Sequence, residues 1–199
     1  MFAAPTSAEP ITALTTGSPP DLAPLPTGYE SVGHHTEDDG INWSREIDTA
    51  DVRSHGSPEP TRRDIVSDVS GLTVLAQESK RLTMELFHNI DLSAVEAAAG
   101  TNEIQFSRAR TPATRYWRLL AVSSDGAGSD AIYFARFCPR ATVTEFDDQA
   151  WSKGDEVRYP LTFTAFVDDV EGYAMREFWG GPGIAALVTD MGFTVAAGV

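Results

Sequence analysis

The sequence predicts a mainly β domain of the α+β class, a β-sandwich or half-barrel with one flanking α-helix. Three observations carry that expectation. The run "YPLTFTAFV" alternates, so that Tyr159, Leu161, Phe163, Ala165 and Val167 share one face and Thr162, Thr164 and Asp168 the other, the period-two pattern of a half-buried strand. The run "SKRLTMELFHNI" changes period: Leu82, Leu86 and Ile90 fall four apart with Phe87 beside them, one apolar stripe on a helix. Between Thr101 and Asp169, β-branched and aromatic runs recur between turn signals. Several strands and one amphipathic helix pack as a twisted sheet with the helix covering one side.

The elements follow in order. Residues 1–28 are rich in Pro, Ala, Thr and Ser and bury too little apolar surface to offset their ordering entropy, so they read as a flexible or extended N-terminal arm. The folded domain then spans 29–199. "DDG" between Val32 and Ile41 signals a turn and suggests a hairpin. "REIDTADVRSHGSPEPTRRD", Arg45 to Asp64, is polar and punctuated by Gly56, Pro58 and Pro60; it reads as a strand, a long projecting loop and a return. "DIVSDVSGLTVLAQE" is a strand, and the helix follows. "SAVE" at Ser93 to Glu96 has capping-box spacing for a short second helix that Gly100 would stop. "NEIQFSRA", "TRYWRLLAVSS", "DAIYFARFCPR", "ATVTEFDD" and the Tyr159 run complete the strands, with no internal repeat and no second domain boundary.

Composition excludes several functions. Of 199 residues 42% are apolar, enough for a core, but the net charge is −14 and the pI about 4.5. A nucleic-acid binder needs a basic face to displace counterions, and an anionic membrane attracts cations; neither partner fits. No run of eighteen apolar residues is present, and the N-terminus lacks the basic and apolar regions of a signal peptide, so the cytoplasm is the expected compartment. The single cysteine, Cys138, forms no intrachain disulfide and sits in "IYFARFC", where a buried structural role is expected.

The candidate chemistry is sparse. Asp168, Asp169 and Glu171 crowd before the glycine-rich "GGPG", but neighbouring carboxylates on a strand face opposite ways and Gly172 favours a turn. "GGPG" lacks the Lys-Ser of a phosphate loop, and its proline removes a donor. "HHTEDD" has metal-ligand residue types, yet adjacent histidines on a strand diverge. No G-x-S-x-G elbow occurs, and His88 at the helix end suits the helix dipole. No catalytic residue, metal or cofactor is expected. Arg53, Arg62 and Arg63 form a small basic patch on the projecting loop, a complement for an acidic surface such as a copy of the same chain. These features point to an assembly or binding protein.

Taken together, "WSREIDTADVRSHGSPEPTRRDIVSD", "GLTVLAQESKRLTMELF" and "YPLTFTAFVDDVEGYAMREFWGGPG" resemble, in order and spacing, the major tail proteins of long, flexible-tailed bacteriophages, most of all those of actinobacterial hosts. The likeness covers residues from about 26 to 192. It implies a tail tube subunit, a virion protein made in the host cytoplasm, whose homo-hexameric rings stack around a lumen through which DNA passes without specific binding. A tape measure protein and a tail terminator are the other implied partners. The loop matched by position is Arg45 to Asp64. Phe178 and Trp179 become aromatic anchors of a subunit contact or of the core, and Asp168, Asp169 and Glu171 become lumen, rim or interface positions. A non-enzymatic β-sandwich binding module or head–tail connector component is the alternative.

Overall fold

The computed structural model describes residues 1–108, 110–111, 113–154 and 156–196. In chain order the elements are β1 (Phe2–Pro5), β2 (Thr15–Thr16), β3 (Asp21–Leu22), β4 (Glu30–Ser31), β5 (Ile41–Val52), β6 (Arg62–Ala76), α1 (Arg81–His88), β7 (Trp117–Asp125), β8 (Ile132–Glu145), β9 (Tyr159–Ala165) and β10 (Arg176–Gly180). The protein is mainly β with antiparallel pairing, and α1 is the one α-helix among the described residues. The sequence offers no second domain boundary, yet the contacts gather into two compact units.

The first unit combines Met1–Ser31, Trp117–Arg140 and the chain from Val167 onward. Its strands lie in the order β4, β1, β7, β8, with β10 also paired to β8. Ile11, Leu14, Leu120, Ala135 and Phe137 form the buried core, and Phe2, Tyr29, Tyr173 and Phe178 pack against it. Residues 1–28, expected as a flexible or extended arm, instead supply a sheet strand and core side chains. β1 pairs with β7 from Phe2↔Leu120 to Pro5↔Trp117, and the Tyr29 hydroxyl donates to the Glu9 carbonyl at 2.9 Å. The edge of β7 offers unpaired backbone groups, and burying Phe2, Ile11 and Leu14 there offsets ordering the rest of a polar segment. After β10 the chain turns at Gly181, whose φ of +100° and close approach to the Ala131 carbonyl leave no room for a Cβ.

The second unit combines Val32–Tyr116 and Ala141–Phe166. Here the end of β8 pairs with β9, β9 with β6 and β6 with β5. The alternation of β9 holds: Tyr159, Leu161, Phe163 and Ala165 are buried, while Thr162 and Thr164 on the other face share hydroxyl hydrogen bonds with Thr73 and Thr144. Val167, assigned to the buried set, lies past the strand end and is exposed. Helix α1 packs on β9, burying Leu82, Leu86 and Phe87. Phe87 meets Tyr159 edge-on at 5.5 Å. The Thr83 hydroxyl donates to the Val32 carbonyl at 3.0 Å, and Asn89 ends the helix in the left-handed region at φ 51°.

Three expectations fail here. "TEDDG" does turn, with the Gly40 N–H donating to the Thr36 carbonyl, but β4 before it pairs with β1, so there is no hairpin. Residues 93–100 form turns and no helix, and 102–108 form no strand; Ala109, the end of that expected strand, lies outside the described residues. Local capping and alternation signals existed in both segments, but a strand also needs a free sheet edge and a short helix a surface to bury.

Candidate assembly surfaces

The segment Arg45–Asp64, expected as a loop, is the outer part of a long two-stranded ribbon. β5 and β6 pair from Ile41↔Val74 to Val52↔Arg62, leaving only residues 53–61 as the tip. At its base the ribbon belongs to the second unit's sheet: Leu72 and Val74 are buried, and β6 pairs with β9 from Gly71↔Thr164 to Ala76↔Tyr159. From Arg45 and Ser70 outward, neither strand has a further sheet neighbour among the described residues. Eight positions at about 3.3 Å each carry this free part roughly 26 Å.

Its charges pair across and along the ribbon. Arg45 Nε donates to Asp68 Oδ1 at 2.8 Å, Arg63 Nε to Asp51 Oδ1 at 2.7 Å, and Arg62 Nη2 to Asp64 Oδ2 at 2.8 Å. The arginine hydrogen bonds hold the Asp51 and Asp68 carboxyls below their ordinary value, with the arginine charges adding a smaller pull. Arg62 and Arg63 are thus engaged within the ribbon, whereas Arg53 is exposed and meets no partner among the described residues. The register shifts between Asp48 and Thr49, which leaves Val66 opposite no residue of β5. Ile65 and Val66 at this bulge are 66% and 68% exposed, and Ile47, Val52 and Val69 are exposed too. Sequence reading placed "DIVSDV" in a strand, as found, but did not mark these apolar positions as exposed. The available signal was length: a run of fifteen strand residues exceeds what one sheet layer usually covers.

"MREFWGGPG", whose Phe178 and Trp179 were expected as aromatic anchors, carries β10, which pairs with β8 from Arg176↔Phe137 to Gly180↔Tyr133; the turn begins only at Gly181. The strand separates its two aromatic residues. Phe178 packs against the first unit's core, while Trp179 is 54% exposed with its ring 4.5 Å from that of Phe134. Beside them Arg136 Nε donates to Glu177 at 2.7 Å and the guanidinium lies over the Phe134 ring. β10 has β8 as its one sheet neighbour among the described residues.

The carboxylates before β10 build a turn. Strand β9 ends at Ala165, short of the Asp169 end expected for it. The Asp168 carboxylate accepts the N–H groups of Val170 at 2.9 Å and Glu171 at 3.1 Å, and these bonds, Glu171 first, lower its pKa. Gly172, at φ 77°, closes the turn by donating to the Asp168 carbonyl. Asp169 is almost fully exposed, 3.9 Å from Arg140, and Glu171 accepts the Tyr173 hydroxyl. In "HHTEDD", His34 lies against Glu78 and the Thr36 hydroxyl donates to Asp39. Among the described residues no three His, Cys, Asp or Glu side chains are grouped to hold a metal ion. Cys138 is buried, and desolvation pushes its thiol up to about 12.

The surfaces left open are therefore strand edges and apolar or aromatic patches. Comparison with known proteins gives the family directly. No curated protein matches the chain. The family model described as phage tail tube protein matches residues 1–175, beginning within the segment that the sequence likeness left out. That family is structural, not enzymatic, and its members belong to the virion tail. The chain belongs to the phage tail tube protein family.

Proposed function

We propose that this subunit closes into hexameric rings that stack into the tail tube of a phage of actinobacterial hosts, a conduit for DNA ejection. The observation that carries the reading is the ribbon of β5 and β6. A lone two-stranded ribbon is marginally stable in water, and its two open edges invite pairing. Assembly covers both. Edge pairing around a ring closes, whereas head-to-tail stacking of rings continues until another protein stops it. A tape measure protein setting the length and a terminator capping the end supply that stop. In this reading Arg53, Arg62 and Arg63 sit at the contact between rings, and Trp179 lies between subunits. Asp168, Asp169 and Glu171 lie at the lumen, rim or interface. The −14 charge keeps passing DNA from adhering. Assembly takes place in the host cytoplasm.

Negative-stain microscopy of concentrated purified protein tests it. Rings and tubes with a continuous bore are expected. A protein that stays monomeric at every concentration overturns the proposal.

A further inference from the structure

The ribbon exposes aliphatic side chains among its charge pairs, and the first unit carries an apolar cleft. Phe2, Ile11, Leu14, Leu22, Leu25 and Leu120 help line a cleft of about 690 Å³. That is several times the roughly 150 Å³ that holds a benzene ring. Ile11, Leu14 and Leu120 form its buried floor; Leu22 at 41% and Leu25 at 37% exposure form its rim. Glu9 is the one charged group in the lining among the described residues. Apolar surface of this shape, walled by the short β2–β3 pair and its flanking prolines, matches an aliphatic protrusion better than a charged ligand.

We propose that this cleft receives the Ile65–Val66 bulge of the ribbon of a second copy. The inference rests on the tail tube reading and names the docking site of the ribbon within it. Three observations select this occupant. At the bulge two adjacent aliphatic side chains, Ile65 and Val66, are left mostly exposed. Arg53, near the ribbon's end and without a partner among the described residues, complements Glu9 in the cleft wall. Donor and acceptor are different surfaces of one chain, so the contact is heterologous, the head-to-tail kind that a stack of rings requires.

The test is disulfide trapping between two single variants, Val66→Cys and Leu25→Cys, mixed under conditions in which micrographs show rings or tubes. Both positions are solvent-exposed and Cys138 is buried, so neither folding nor background oxidation interferes. The expected result is a disulfide-linked dimer in the mixture and in neither variant alone, with a covalent ladder from the double variant. Because a disulfide needs its Cα atoms within about 7 Å, Leu22→Cys is run in parallel as a second reporter of the rim. Rings or tubes without a cross-linked dimer from either rim reporter overturn the docking site while leaving the tube reading intact. A dimer of Val66→Cys with itself overturns it in favour of bulge-to-bulge contact. Absence of any assembly overturns both. As an independent arm, Val66→Arg should abolish stacking with circular dichroism unchanged, while Val66→Ile retains it; stacking by Val66→Arg refutes the docking site.

Discussion

Replacing Leu86 with Ala measures how firmly α1 is docked. Leu86 is 1% exposed, on the face that packs against β9. The change deletes three carbons, worth about 2.4 kcal/mol at ~0.8 kcal/mol per methylene. A cavity of roughly 70 Å³ left unrelaxed adds ~1.7 kcal/mol at ~24 cal/mol per Å³. The total, about 4 kcal/mol, falls within the range such deletions show in tight cores. For a chain of this size, ~2–4 °C per kcal/mol converts it to a fall in Tm of roughly 8–16 °C. The assay is thermal unfolding by circular dichroism at a concentration low enough to prevent assembly. Ile65→Ala is the control: its side chain is 66% exposed, so it should lower Tm by less than about 4 °C. Equal shifts for the two variants would show that the helix is not held by its apolar stripe, and the packing of α1 on β9 would be refuted.

Three further outcomes are expected. Replacing Arg62 and Arg63 together with Glu sets a second carboxylate against Asp51 and another beside Asp64, so assembly should weaken while the dilute protein melts within about 2 °C of the parent; unchanged tubes by microscopy would exclude the ribbon from the stacking contact. Asp91 and Glu156 are each lowered to about 2, Asp91 chiefly by hydrogen bonds with Ser93 and Glu156 chiefly by its bond with Gln77. The unfolded chain therefore takes up these protons first as pH falls. Their stabilisation is complete above the ordinary carboxylate range and drains as the pH drops toward 2, so Tm should fall over that window and Asp91→Asn should flatten part of the fall. Finally, the Cys138 thiol, buried and raised to about 12, should resist a thiol reagent in the native state and react once the chain is unfolded; fast native labelling would contradict its burial.

How much of this was legible in the sequence varies by element. β9 and α1 were readable because each buries one face, and a buried face writes its period into the residues. β1 was not, because Phe2–Pro5 is a strand only through β7, more than a hundred residues away, and nothing local marks that pairing. The ribbon was half legible. Its tip punctuation, Gly56, Pro58 and Pro60, was read correctly as a reversal, but charged strands that no layer covers look like loop. Of the surface residues, Arg53 stayed exposed and Trp179 faced outward, while Phe178 went to the core. Arg62 and Arg63 were found with partners that only strand register could supply, since Asp51 lies twelve residues from Arg63. Asp168 was read as the end of a strand; Gly172 marked the turn, but that the Asp168 carboxylate builds it through Val170 and Glu171 was not legible.

The family match stops at residue 175, one position before β10. Yet that last strand zips onto Tyr133–Phe137 of β8, and Phe178 plugs the core beside them. A chain cut back to the matched region would strip five residues of β8 of their hydrogen-bonding neighbour and leave a greasy hole behind them. The strand Arg176–Gly180 thus acts as a safety catch on that edge, and recombinant boundaries drawn at Met175 should yield more aggregated protein than the whole chain does.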